Sequence, residues 1–529
     1  MKHRIIALSL FLCSAIYGQK HHERLEKIDI QHYEFALTLN DDNDNIQGVA
    51  KINIKFNIDI TDFYLDLVNE VDDTGMNVDA VMVEGARVSF SHQNDRLTLN
   101  FNGKSGEIKT FAITYHGTPK TGLVIAENKH GDRTFFGDNW PDRGRHWLPS
   151  VDHPSDKATV EWVITAPTYY QVVGNGRFVE RTNLSDDLTL SRWRTDVVIP
   201  TKVMVMGAAR FAVEEVGDLR GAPVSTWVYP QDRDKGFYDY RQAYTILDWF
   251  INNIGPYPYA KLANVQSKTQ FGGMENASNI FYFENSVTGE RAFEGLIAHE
   301  IAHQWFGNSA SEADWHHVWL SEGFATYFTN VYMEKTHGRD RLVEMVKEQR
   351  DGVIAFSKKQ MVPVVNTAVT DYMKLLNTNS YEKGGWVLHM LRKKAGDDLF
   401  WEAIRTYYKK FTLSNAYTED LQQVFESVSG MDLSTFFKQW IYTPGQPNIV
   451  VDKSYKKGVL NLLVIQEQDQ IFDFPLELDI VMKDGTKQRH TIQVNEKRQA
   501  FTLDLAEKPA TIVLDPDSWL LFEGKLADN

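Results

Sequence analysis

Residues 299–322 read HEIAHQWFGNSASEADWHHVWLSE. His299 and His303 flank Glu300 four positions apart, and Glu322 follows after eighteen intervening residues. An α-helix turns once in about 3.6 residues, so side chains four apart stand one above the other and two imidazoles can grip one ion. Glu300 lies about a third of a turn round from His299. It is placed to touch a water on the open side of a metal rather than to share its coordination, and it reads as a base. A structural zinc closes all four positions with protein atoms, whereas a catalytic zinc keeps one for water. His299, His303 and Glu322 supply three, so the spacing points to a hydrolase with one Zn2+ per chain.

The chain around this motif has 529 residues, too many for a single ordinary core, and about three or four domains are expected. Lys2 and Arg4 precede an apolar run from Ile5 to Ile16, the pattern of a cleavable signal peptide over residues 1–18. That run is too short to span a bilayer, and no later stretch is apolar enough to do so. Secretion or periplasmic residence is the expected destination, with no stable membrane insertion after cleavage. The single cysteine, Cys13, falls inside the leader, so the mature chain is expected to carry no thiol or disulfide and to depend on its core and its metal. Loss of Lys2 and Arg4 with the leader, and of no acid, moves the formal net charge from -15 to -17. Such an acidic chain is a poor partner for nucleic acid.

From about residue 25 to 210 the pattern alternates with period two, as in VAKINIKFNI (49–58) and IKTFAITYHG (108–117), and this region reads as all-β. A mixed region follows, with the strand-like VSTWVYP (224–230) and a helical stretch over 234–255 that Gly255-Pro256 terminates. Helices dominate from Ala292 to Trp440 and carry the metal motif. After IYTPGQPNIVV (441–451) alternation returns in VLNLLVIQE and PLELDIVMKD, the mark of a small terminal β-sandwich. The predicted fold class is multidomain α+β, divided into 1–18 (leader), 19–210 (β), 211–444 (α/β, catalytic) and 445–529 (β).

Two further segments complete a pattern with the metal triad: FGGMENASNIFYFEN (271–285) and SYEKGGWVLHMLR (380–392). On these residues the chain resembles the M1 family of zinc aminopeptidases, which includes aminopeptidase N and leukotriene A4 hydrolase. The resemblance covers nearly the entire mature chain and implies a β saddle, a thermolysin-like catalytic domain and a small β-sandwich. It does not extend to the large helical domain that closes many members over their site, which implies a more open cleft. Gly272, Gly273, Met274, Glu275 and Asn276 match the family's substrate-binding run, where glycines let a peptide backbone approach an exposed strand edge. The resemblance gives Glu275 the substrate's α-ammonium, a contact that lets an exopeptidase measure one residue from the end. Tyr381 matches the tyrosine aimed at the scissile carbonyl, where a phenol can stabilise the developing oxyanion. The implied activity is removal of the first residue from peptides with a free N-terminus.

Several residues read less directly. Glu382 and Lys383 look like a solvated helix start, while Arg145 and Asp152 look structural. Asp138-Asn139-Trp140 stands where several relatives carry a pocket-lining glutamine, so the aspartate is a candidate to attract basic first residues and the tryptophan to narrow the pocket or stack on substrate. His317 and Ser321 replace the usual Asp and Asn before Glu322 and are expected to brace the helix without touching the ligands. His316 and His317 are expected in surface or packing roles. Three alternatives remain at this point: a thermolysin-type endopeptidase, which has no need of Glu275; an epoxide hydrolase of the leukotriene type; and a non-catalytic peptide-binding protein on the same fold.

Overall fold

Strand Ile28–Thr38 buries Ile28 and Ile30, then Tyr33, Phe35 and Leu37. The period of two slips by one between Ile30 and Tyr33, and the pairing with Ile46–Phe56 shifts register at the same point, between Ile30 and His32. A bulge there absorbs the extra residue and keeps the apolar set on one face. The computed structural model describes residues 23–527, so the leader over 1–18 and Cys13 lie outside the described residues. The protein is mixed α+β, with an all-β N-terminal region, an α/β and helical region that carries the motif, and C-terminal sheets. No helix among the described residues is long and apolar enough to cross a membrane. The chain divides into two units: Met1–Ser321 with Thr367–Lys374 and Tyr407–Tyr417, and Glu322–Asn366 with Leu375–Thr406 and Thr418–Asn529.

In the first unit a nine-stranded sheet is built around the parallel pair Ile28–Thr38 and Lys157–Pro167, with Phe35 beside Trp162. Trp162 stacks on Trp147 with ring centroids 5.6 Å apart, and both rings are buried. A five-stranded sheet leads to the motif, in the order Ala212–Leu219, Ala222–Val228, Leu262–Ser267, Asn279–Phe283, Gly273–Met274. Its three inner strands are parallel, and all six residues of Leu262–Ser267 are buried, as expected of a strand covered on both faces. A parallel connection needs a crossover. Helices Arg233–Tyr240 and Gln242–Asn253 supply it, and the second ends at Gly255 (φ +154) and Pro256.

The second unit joins helices to the C-terminal sheets. Four strands, Arg498–Asp504, Val459–Gln466, Asn448–Lys456 and Glu523–Leu526, form one sheet; Lys487–Val494, Phe474–Val481 and Thr511–Leu514 form another. His389, on helix Gly384–Ala395, ties the helix to the loop between strands Thr511–Leu514 and Glu523–Leu526. Its ring stacks on Trp519 at 4.3 Å, its Nε2 donates to the Ser518 carbonyl at 2.9 Å, and its Nδ1 lies 3.3 Å from the Tyr327 hydroxyl.

Burial pushes the His389 pKa down from 6.5 to about 3, so the folded state holds the neutral ring. Between those values the unfolded chain binds the extra proton, and stability is therefore lost as pH falls from 6.5 towards 3. The slope is up to about 1.4 kcal/mol per pH unit. His389→Gln is expected to be less stable than the parent at pH 7 but to lose less on going to pH 4.5, as read by urea unfolding at both pH values.

Candidate active site

The motif helix, Glu294–His303, buries Ile297, Ala298, Ile301 and Ala302. Just beyond its end, Trp305 stacks on Phe250 of helix Gln242–Asn253 at 5.5 Å, and its indole donates to the Gly255 carbonyl at 3.1 Å. Clamped on that side, the helix turns His299 and His303 to the other, where their Nε2 atoms face each other 3.1 Å apart. Nδ1 of His303 lies 3.2 Å from the Phe306 carbonyl, which can only accept. The proton therefore sits on Nδ1, and Nε2 presents a lone pair towards its neighbour. Two such imidazoles with a carboxylate are a donor set that suits zinc. Glu322, buried in the first turn of helix Trp319–His337, is the residue after Ser321.

Ser321 corrects one expectation. Its Oγ lies 3.0 Å from His303 Nδ1, so it does touch a ligand and shares the ring proton with the Phe306 carbonyl. The loop makes room at Gly307 (φ +115), where a Cβ would collide with the Ser321 hydroxyl. Ser321 is fully buried beneath His303 and helps to fix its tautomer.

Strand Gly273–Met274 forms the edge of the five-stranded sheet, with Gly273 opposite Tyr282 and Met274 opposite Phe281. Gly272 is exposed and Gly273 half-buried, whereas Met274, Glu275 and Asn276 are buried. Gly273 runs so close to the motif helix that a Cβ there would collide with the Glu300 carboxylate. Glu275, Glu300 and His303 each offer a donor atom within 4.8 Å of the others'. The Glu275 main-chain carbonyl accepts from Gln304 Nε2 and from Asn308 Nδ2, both at 2.7 Å. Its side chain belongs to a residue only 5% exposed, yet Oε1 has no hydrogen-bond partner. Neither amide atom of the buried Asn276 has one. Gln304 and Asn308 were not singled out in the sequence, although Gln304 is the residue next to the second motif histidine.

Tyr381 stands in the second unit, half-buried on the π-helical turn Asn379–Lys383. Gly323, directly after Glu322, lies against this turn: a Cβ on it would be 2.8 Å from Gly384 Cα and 3.2 Å from the Ser380 carbonyl. Lack of a side chain at both glycines lets the helix of Glu322 reach the turn of Tyr381. Lys383 is not at a solvated helix start. It is 1% exposed, with Nζ donating to the Gly445 carbonyl at 2.7 Å, because the turn closes over it.

The tripeptide Asp138-Asn139-Trp140 serves the scaffold. Asp138 is buried with Oδ1 paired to Arg143 at 2.6 Å, while its Oδ2 has no hydrogen-bond partner. The Asn139 amide donates to the Thr201 and Met204 carbonyls and accepts from the Trp147 indole. Trp140 is 2% exposed, edge-on to Trp315 at 5.7 Å, which leaves no open face for stacking. Arg145 and Asp152 do pair, at 3.3 Å, as structural residues. Both ring nitrogens of His316 are used within the fold, with Asp314 at 2.6 Å and the Val369 carbonyl at 2.9 Å. His317 packs edge-on against Tyr417.

Residues 30–203 match the description "Peptidase M1 N-terminal domain", and residues 238–440 match "Peptidase family M1 domain". The chain is 24% identical to "Probable aminopeptidase 2" of Sulfurisphaera tokodaii over 94% of its own length and 65% of that protein. It is 24% identical to "Leucyl aminopeptidase" of Saccharolobus solfataricus, covering 90% of this chain and 62% of the other. It is 25% identical to "Glutamyl aminopeptidase" of Bos taurus, covering 69% and 40%. The chain thus spans less than two thirds of the length of each of these relatives. Both family domains match in order, and the second contains the helix that brings the two histidines together. This protein belongs to peptidase family M1.

Proposed function

We propose that the protein is a zinc-dependent aminopeptidase that hydrolyses the first peptide bond of peptides with a free α-amine. The observation that carries this reading is the Glu275 carboxylate, buried with Oε1 unpartnered in a group with Glu300 and His303. A buried anion without a partner is costly, and a cation brought by the substrate removes that cost. An endopeptidase substrate has no ammonium to offer there. The names of the relatives support the same class of reaction.

His299, His303 and Glu322 would hold the metal. When bound, zinc supplies Lewis-acid chemistry, making water more acidic and polarising the scissile carbonyl. Glu300 takes the proton of the attacking water and delivers it to the leaving amine. Tyr381 donates a hydrogen bond to the carbonyl oxygen as it becomes negative. Glu275 binds the α-ammonium and sets the register, and strand Gly273–Met274 offers its free edge to the peptide backbone. The substrates are peptides rather than nucleic acid, and the basic and apolar leader directs the chain to a secreted or periplasmic location.

The decisive experiment is hydrolysis of a panel of aminoacyl chromogenic amides, each beside its N-acetylated twin, with and without a zinc chelator. Chelator-sensitive cleavage of the free-amine set alone is expected. Cleavage of the blocked set would establish an endopeptidase, and no cleavage of either a binding protein. Glu300→Ala is expected to retain zinc, measured by metal analysis, while kcat falls by about 10²–10⁴-fold. Glu275→Ala should lose about 10–100-fold in kcat/KM on free-amine substrates and little on blocked ones, compressing the ratio between them. Ser321→Ala should weaken zinc retention by about 10–100-fold, read by competition with a chromogenic chelator, with Ser321→Asn restoring part of it.

A further inference from the structure

Lys383 carries a buried amino group that the reaction does not use. Its Nζ reaches one hydrogen-bond acceptor, the Gly445 carbonyl at 2.7 Å, and no carboxylate pairs with it among the described residues. Burial lowers its pKa to about 7. A methylene chain of the same length would fill this space without the desolvation cost. In stability terms Lys383 is therefore a liability, and the geometry shows what it secures instead.

Lys383 ends the π-turn Asn379–Lys383, and Tyr381 sits in the middle of that turn. The other end is held by the Asn379 amide, which donates to the Val362 carbonyl at 2.8 Å and, more weakly, to that of Pro363 at 3.4 Å. Between them the Ser380 hydroxyl donates to the Leu375 carbonyl at 2.5 Å. The acceptor at the Lys383 end is itself fixed. Gly445 adopts φ +80, and a Cβ on it would stand 2.9 Å from the Met361 sulfur. The next residue, Gln446, donates to Ser357 Oγ at 2.9 Å, and the Val364 amide donates to the Ile441 carbonyl at 3.0 Å. This loop is the junction where the helices give way to strand Asn448–Lys456.

We propose that Lys383 is a positioning residue for the reaction: by donating to the Gly445 carbonyl of the junction loop, it holds the π-turn so that the Tyr381 hydroxyl is presented at a fixed place. The inference rests on the oxyanion role proposed for Tyr381. A π-turn is one residue wider than an α-turn and is held by poorer geometry, so its shape depends on tethers at its ends. Loss of one tether displaces the phenol by a fraction of an ångström, which costs rate in a step that depends on alignment.

The test is a double-mutant cycle of Lys383→Met and Tyr381→Phe in the full chain, with an aminoacyl amide as substrate. Lys383→Met is expected to keep its zinc and a Tm equal to or above the parent's, to leave KM unchanged, and to lose about tenfold in kcat. In the Tyr381→Phe background the same change should cost less than about twofold, since the group it positions is gone. A role confined to packing would lower Tm and act additively. Additive losses in kcat, or full kcat in Lys383→Met beside a crippled Tyr381→Phe, would overturn the inference and leave the oxyanion role standing. Full kcat in Tyr381→Phe would overturn both. Should Lys383→Met not fold, Lys383→Gln, which keeps an N–H donor on a shorter arm, carries the same cycle.

Discussion

Two side-chain amides, those of Gln304 and Asn308, close on the main-chain carbonyl of Glu275, and that pair of bonds ties the segment after strand Gly273–Met274 to the end of the motif helix and the loop beyond it. Gln304 follows the second motif histidine, so Glu275 is tied to the end of the element that carries His299 and His303. The main chain at Glu275 is thereby held by two side chains at once. Asn308 is held in turn. Its carbonyl accepts from Lys157 Nζ, which also bonds the carbonyls of Ser309 and Ser414. Lys157 opens a strand of the nine-stranded sheet, so the β region is bonded to the loop that carries Asn308.

Buried charge recurs in this unit. Lys202 and Glu312 form a fully buried ion pair just past the motif loop, and Asp138 with Arg143 forms another. In each pair one carboxylate oxygen meets the cation and the other has no hydrogen-bond partner, and such pairs contribute little net stability while specifying where segments meet. Glu275 Oε1 is likewise without a hydrogen-bond partner, and what sets its carboxylate apart is that no Lys or Arg among the described residues forms an ion pair with it. The unpaired amino group of Lys383 is the corresponding case in the second unit.

The α+β order and the motif helix were legible because their signals are local: four-residue spacing for His299 and His303, alternation for the strands, Gly255-Pro256 for a helix end. Even the slip in Ile28–Thr38 is written in the positions of its apolar residues. What was not legible depends on distant partners. Nothing near Lys383 announces a carbonyl sixty-two residues away at Gly445, so a lysine after a glutamate read as solvated. Ser321 read as remote from His303 because the approach depends on Gly307 in the intervening loop. Asp138 and Trp140 invited a pocket role because their burial is set by Arg143 and Trp315, which periodicity cannot connect to them.

The bare α-carbon of Gly273 has a consequence for how a lineage carrying this site can diversify. Every single-base change that replaces a glycine codon with another amino acid adds a Cβ, and a Cβ at this position would strike Glu300. Selection would remove such variants whatever the substrate. The residue before Gly273 is different: Gly272 is exposed, and a Cβ there would meet nothing nearer than Leu296 at 3.9 Å. Within this edge the backbone is closed to a side chain at Gly273 and open to one at the position just before it.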